Sequence, residues 1–95
     1  MILAKVVGTV VSSKVNSGIS GGKYLLVERC NQKADVKNDF LVALDLVGAG
    51  YNEVVMISES TSARETTLTK NKAIDTIIVG IIDLIDENDT VVYKK

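Results

Sequence analysis

The chain has 95 residues, 46% of them hydrophobic, with 11 Lys and Arg against 12 Asp and Glu for a formal charge of -1. One compact domain spanning 1–95 fits that length; two cores do not. The near-neutral balance excludes a strong phosphate-binding footprint, which disfavours nucleic acid as a partner.

The first predicted strand covers residues 2–11, a run rich in β-branched residues and apolar on both alternating faces, as a strand covered on both sides would be. Gly8 interrupts it, which points to a bulge, a barrel bend or a close backbone approach. No basic start followed by a long apolar helix precedes this strand, so no export signal is expected. Residues 16–22, rich in Gly, Ser and Asn, read as a loop, and residues 24–30 as a second strand. Cys30, the single cysteine, has no internal partner, in keeping with a reducing compartment; its simplest reading is a small packing residue.

The polar stretch 31–39 reads as a connection into residues 40–47, strand-like in composition although the run alone does not exclude helix. A fourth strand is expected over 53–58 and a fifth over 76–85, with Gly80 marking a bend. The acidic turn 86–89 folds residues 90–93 back as a short final strand. Between the fourth and fifth strands, Ser62-Ala63-Arg64-Glu65 fits a capping box and predicts one or two turns of helix. The sum is all-β: five or six short strands with glycine punctuation and one helical turn point to a small barrel or sandwich, not to alternating βαβ units. No apolar stretch approaches the ~20 residues of a spanning helix, so a soluble, cytoplasmic protein without a membrane partner is expected.

The chemistry-bearing patterns are sparse. Histidine is absent, which removes the usual neutral-pH acid or base and the commonest metal ligand. Gly48-Ala49-Gly50 after a strand invites a dinucleotide reading, but the third glycine of such a motif falls on Glu53 and a strand follows where a helix is needed. A tight connection between strands is the simpler reading. Asp83, Asp86, Glu87 and Asp89 lack the spacing and central glycine of a calcium loop. Tyr24, Phe40, Tyr51 and Tyr93 are scattered without basic interleaving, a weak basis for the alternative function of such barrels, binding single-stranded nucleic acid or oligosaccharide. No catalytic residue, cofactor or metal site is assigned. Asp45 lies within an apolar strand, where an unpaired charge is costly, so its carboxylate should accept hydrogen bonds in a structural role. The surplus of Val, Ile, Leu and Ala in so small a chain suggests apolar surface buried against a partner.

Four segments in order carry a resemblance: Met1-Ile2-Leu3-Ala4-Lys5-Val6-Val7-Gly8-Thr9-Val10-Val11, Ala43-Leu44-Asp45-Leu46-Val47-Gly48-Ala49-Gly50, Ser62-Ala63-Arg64, and Ile74-Asp75-Thr76-Ile77-Ile78-Val79-Gly80-Ile81-Ile82-Asp83. Together they resemble the bacterial microcompartment vertex proteins, the ethanolamine-utilisation and carboxysome vertex family. The resemblance implies an all-β fold, a small five-stranded Greek-key, OB-like barrel with one short helix and a short C-terminal strand, forming a homopentamer. That pentamer would cap the fivefold corners of a polyhedral shell, beside hexameric shell proteins, in the cytoplasm. It marks Asp45, Gly48, Ala49, Gly50, Glu53, Ser62, Ala63 and Arg64 as candidates for the subunit interface or axial loops. Arg64 has a fork suited to a neighbouring subunit's carboxylate or carbonyls; a solvated surface arginine is the plainer alternative. The chain departs from the family pattern at Asn52, where a glycine is usual; at Ser60 or Thr61, again for glycine; and at Ala73, for proline. Asn tolerates positive φ, so the turn before Glu53 is expected to survive.

Overall fold

A computed structural model describes residues 1–11, 22–59 and 76–95. Its strands are β1 (Ile2–Val10), β2 (Tyr24–Cys30), β3 (Val36–Asp45), β4 (Val54–Glu59), β5 (Thr76–Ile81), β6 (Leu84–Glu87) and β7 (Thr90–Lys94). The first five close into a barrel in the order β1-β2-β3-β5-β4, and β6 pairs with β7 in a separate two-stranded sheet. All barrel pairings are antiparallel except β3 with β5, which is parallel. This is the expected OB-like Greek key, and closure removes the unpaired edges of an open sheet.

Alternation along each strand builds the core. Ala4 and Val6 of β1, Leu25 and Val27 of β2, and Ala43 of β3 point inward with Val55, Ile57 and Ile78. Each fully buried Val, Leu or Ile contributes roughly 1.5–3 kcal/mol, so interior burial dominates the stability of the barrel. A smaller cluster on the opposite face centres on Leu44 and Ile77, packed by Tyr24, Leu46 and Val79. β5 is covered on both faces, with Ile78 in the interior and Ile77 in the outer cluster, which explains its lack of polar alternation, whereas β1 buries Ala4 and Val6 inward, leaves its other face only partly covered and exposes Thr9. Val6 pairs with Val27 and Gly8 with Leu26, so Val7 is the extra residue of a bulge just before Gly8. A second irregularity sits near Gly80, where Met56 pairs with Gly80 but Ile57 with Ile78. A Cβ at Gly80 would stand 2.8 Å from the Met56 methyl, so the bulged strand passes close to that side chain.

Three boundaries differ from expectation. β3 starts at Val36, not at residue 40, because Asn31 folds the preceding residues into a tight turn. Its Oδ1 accepts from the N–H groups of Lys33 and Asp35 at 2.9 and 3.0 Å, and Ala34 takes φ 67°. β3 ends at Asp45, not at residue 47, because the Asp45 carboxylate captures the N–H groups that would continue the ladder. The predicted strand 76–85 divides: Ile82 N–H donates to Val54 O at 2.8 Å, after which the chain leaves the barrel at exposed Asp83 and begins β6. Asn88 and Asp89, both at positive φ, then close the β6–β7 hairpin. The expected short helix from Ser62 lies outside the described residues.

Candidate functional site

The segment from Asp45 to Glu53 closes one mouth of the barrel, and its polar groups explain its shape. Asp45 ends β3 with its side chain 0% exposed. Its Oδ1 accepts from Val47, Gly48 and Ala49 N–H at 3.1, 3.1 and 3.2 Å, and Oδ2 from Ala49 N–H at 3.0 Å. Lys23 Nζ stands 3.7 Å from Oδ2 and donates to Ala49 O at 3.4 Å. The buried charge is therefore held by backbone dipoles and one counter-ion, the condition under which burial is tolerable. Gly48 takes φ +76° with open space around its Cα, so glycine is favoured there by backbone conformation and not by crowding. Ala49 is 1% exposed and belongs to the barrel core.

The second half of the loop is a reciprocal turn. Gly50 N–H donates to Glu53 Oε1, and Glu53 N–H donates back to Gly50 O at 3.2 Å. Asn52 takes φ 68°, the conformation expected of it where glycine would otherwise stand. Its N–H donates to Val6 O at 2.9 Å, and Val6 N–H donates to Glu53 O at 3.0 Å, fixing the turn to β1. Glu53 Oε2 pairs with the Lys95 ammonium. The Lys95 hydrogen bond, and then the Gly50 N–H, hold the Glu53 carboxyl below its ordinary value, and the same contact raises Lys95. Tyr51 stands 73% exposed at the loop tip. A cavity of about 220 Å³ opens between the loop and the adjoining strands, lined by Gly8, Thr9, Lys23, Leu25 and Tyr51 among others.

Both carboxylates accept from backbone N–H groups and pair with lysines, so they stiffen the loop. The structure thus brings together Asp45, Gly48, Ala49, Gly50 and Glu53; Ser62, Ala63 and Arg64 lie outside the described residues. Lys23 and Lys95 are partners that sequence reasoning missed, since neither stands near its carboxylate in the chain. At the other end of the barrel Arg29 was missed as well. Its Nη2 donates to Glu59 Oε1 at 3.0 Å, and its Nε lies 2.9 Å from Asp39 Oδ2 but is poorly aligned for a hydrogen bond. Cys30 is buried, and burial pushes its thiol up.

The family model described as ethanolamine utilisation protein EutN/carboxysome matches residues 1–83. The chain belongs to this EutN/carboxysome family. It is 42% identical over 86 residues to the bacterial microcompartment shell vertex protein GrpN of Rhodospirillum rubrum (strain F11), covering 90% of this chain and 97% of GrpN. The structure of Nostoc sp. PCC 7120 CcmL superposes with a TM-score of 0.93 at 36% identity, covering 100% of both chains. The GrpN pentameric microcompartment shell protein superposes with a TM-score of 0.83 at 40% identity, over 92% of this chain and 99% of that one. Within the EutN/carboxysome match lie the whole barrel and the loop from Asp45 to Glu53, while β6 and β7 follow it.

Proposed function

We propose that the chain is a shell vertex protein of a bacterial microcompartment, acting as a ring of five copies that caps a fivefold corner. The observation that carries this reading is family membership over residues 1–83 joined to the likeness to pentameric GrpN. Sixfold tiles alone make flat sheets, so a closed polyhedral shell requires fivefold units, and its hexameric shell proteins would be this ring's neighbours. Function is then geometric. With no histidine in the chain and both loop carboxylates engaged in holding the loop, we assign no catalysis; with a formal charge of -1 we assign no nucleic acid ligand. The rigid loop from Asp45 to Glu53, together with Ser62, Ala63 and Arg64, is proposed as the interface and axial-loop set. A heterologous interface repeated five times closes a ring, and an obligate one buries on the order of 2,000 Å² or more.

Native mass spectrometry tests the ring directly. The expected species has five times the mass of the 10.2 kDa chain, and a stable monomer at high concentration would overturn the reading.

A further inference from the structure

The loop from Asp45 to Glu53 does not fill the mouth of the barrel that it covers, and the cavity of about 220 Å³ is the space left over. Its floor is core: Val6, Leu25 and Ala49, each at most 2% exposed. Its rim is set by strand register. Thr9 pairs with Leu25, so the two side chains share the inward face. Lys23 stands two residues before Leu25, and its O accepts from Asp45 N–H at 2.8 Å, which carries the ladder one step past β2 and keeps Lys23 on that same face. Tyr51, exposed at the loop tip, forms the facing wall.

Lys23 brings the cavity its one charged side chain. Asp45 Oδ2 lies 3.7 Å from the ammonium, but that carboxylate is fully buried and divides its charge among the N–H groups of Val47, Gly48 and Ala49. The Lys23 side chain is 56% exposed and donates to Ala49 O at 3.4 Å. An ammonium carries three donors, so Lys23 keeps hydrogen-bonding capacity for a further acceptor. Glu53, the other acid of the loop, is engaged by Lys95 and by Gly50 N–H.

We propose that this cavity binds a short-chain aliphatic carboxylate, its carboxylate on Lys23 Nζ at the rim and its tail over Val6, Leu25 and Ala49. An apolar hollow at the mouth of a barrel with a few convergent polar groups is a recurrent setting for small ligands. At about 220 Å³ it is smaller than the roughly 300–1,000 Å³ of sites for drug-sized molecules, which excludes nucleotides and sugar chains. A tail that covers the floor removes core side chains from water, and the ammonium supplies a charge-assisted hydrogen bond that an uncharged acceptor receives more weakly. The site is complete within one chain, so it goes beyond the pentameric reading and does not depend on it.

Amide NMR of the full wild-type chain, titrated with sodium isovalerate at constant ionic strength, tests the site. Isovalerate should shift the signals of Thr9, Lys23 and Ala49 and leave that of Val91 in the hairpin in place. Isovaleramide, close in shape but without the charge, should bind at least about tenfold more weakly, the loss expected for one charge-assisted hydrogen bond. Isovalerate affinity should fall by a similar factor in Lys23→Met. Unmoved cavity amides, equal affinity for the two probes, or undiminished affinity in Lys23→Met would each overturn the proposal. Where Lys23→Met fails to fold for want of the Asp45 counter-ion, the two probes on wild type decide the matter alone. The result is read in whichever oligomer the protein forms, so it stands apart from the outcome of native mass spectrometry.

Discussion

The barrel and the β6–β7 hairpin are built on opposite terms. In the barrel, Val55, Ile57 and Ile78 have no exposed surface, and every strand has two neighbours. In the hairpin each strand has one neighbour, Leu84 and Val91 are half exposed, and the ties to the barrel are polar. The barrel holds its shape through area removed from water, a non-directional effect that tolerates no missing methylene. The hairpin holds its position through a few directional contacts whose strength depends on ionisation.

The sharpest way to break that comparison is to truncate one aliphatic side chain on each side of it. Ile57→Ala, in the barrel interior, should cost about 2–5 kcal/mol in a urea unfolding experiment at fixed protein concentration. Leu84→Ala, measured after dilution has dissociated the subunits, should stay within about 0.5 kcal/mol of wild type. Equal losses would mean that the hairpin belongs to the same cooperative core. The loop from Asp45 to Glu53 falls between the two, since Ala49 is buried in the core while the rest is held by polar contacts. Asp45→Ala strands the N–H groups of Val47, Gly48 and Ala49 and leaves Lys23 without its buried counter-ion. The expected loss is about 1–3 kcal/mol by the same measurement; an unchanged midpoint would show that the loop is held by Ala49 and β1 alone.

Where one physical effect dominated a segment, the sequence was legible. β1 follows from its run of β-branched residues, Gly8 announced its bulge, and the short strands narrowed the fold to a barrel or sandwich, which the family resemblance resolved to a barrel. Asp45 was legible because a charge in an apolar strand has few affordable environments, and Asn52 because few residues accept positive φ. The start of β3 was not, since residues 36–39 are mostly polar and form strand only through cross-strand partners such as Glu28 Oε2, which accepts from Asn38 N–H. Nor was the break between β5 and β6: the apolar run continues through Ile82 to Leu84 and Ile85, and only the Ile82 bond to Val54 marks the exit from the barrel. The Glu53–Lys95 pair joins residues from opposite parts of the chain, which no local pattern encodes.

That pair gives the smallest and most specific effect. Glu53 is held below its ordinary carboxyl value in the fold, by Lys95 first and the Gly50 N–H second. Its contribution to stability is therefore present above the ordinary glutamate value of about 4.3, and is lost as pH falls through the depressed folded value. Lys95 is raised, so its share of the same contact is present below the ordinary lysine value of about 10.4 and is lost as pH rises through the raised one. The largest cause of both shifts is the one contact between Glu53 and Lys95, so Lys95→Ala should act on both limbs at once. The stability gap between wild type and variant should be level through neutral pH and should narrow at each extreme. Titration of the Glu53 carboxyl by NMR is the direct measurement: in Lys95→Ala its midpoint should rise, yet remain below the ordinary value because Gly50 still donates. An unmoved midpoint would assign the whole shift to Gly50, and would leave the base of the hairpin tied by Lys95 N–H to Asp83 O without help from charge.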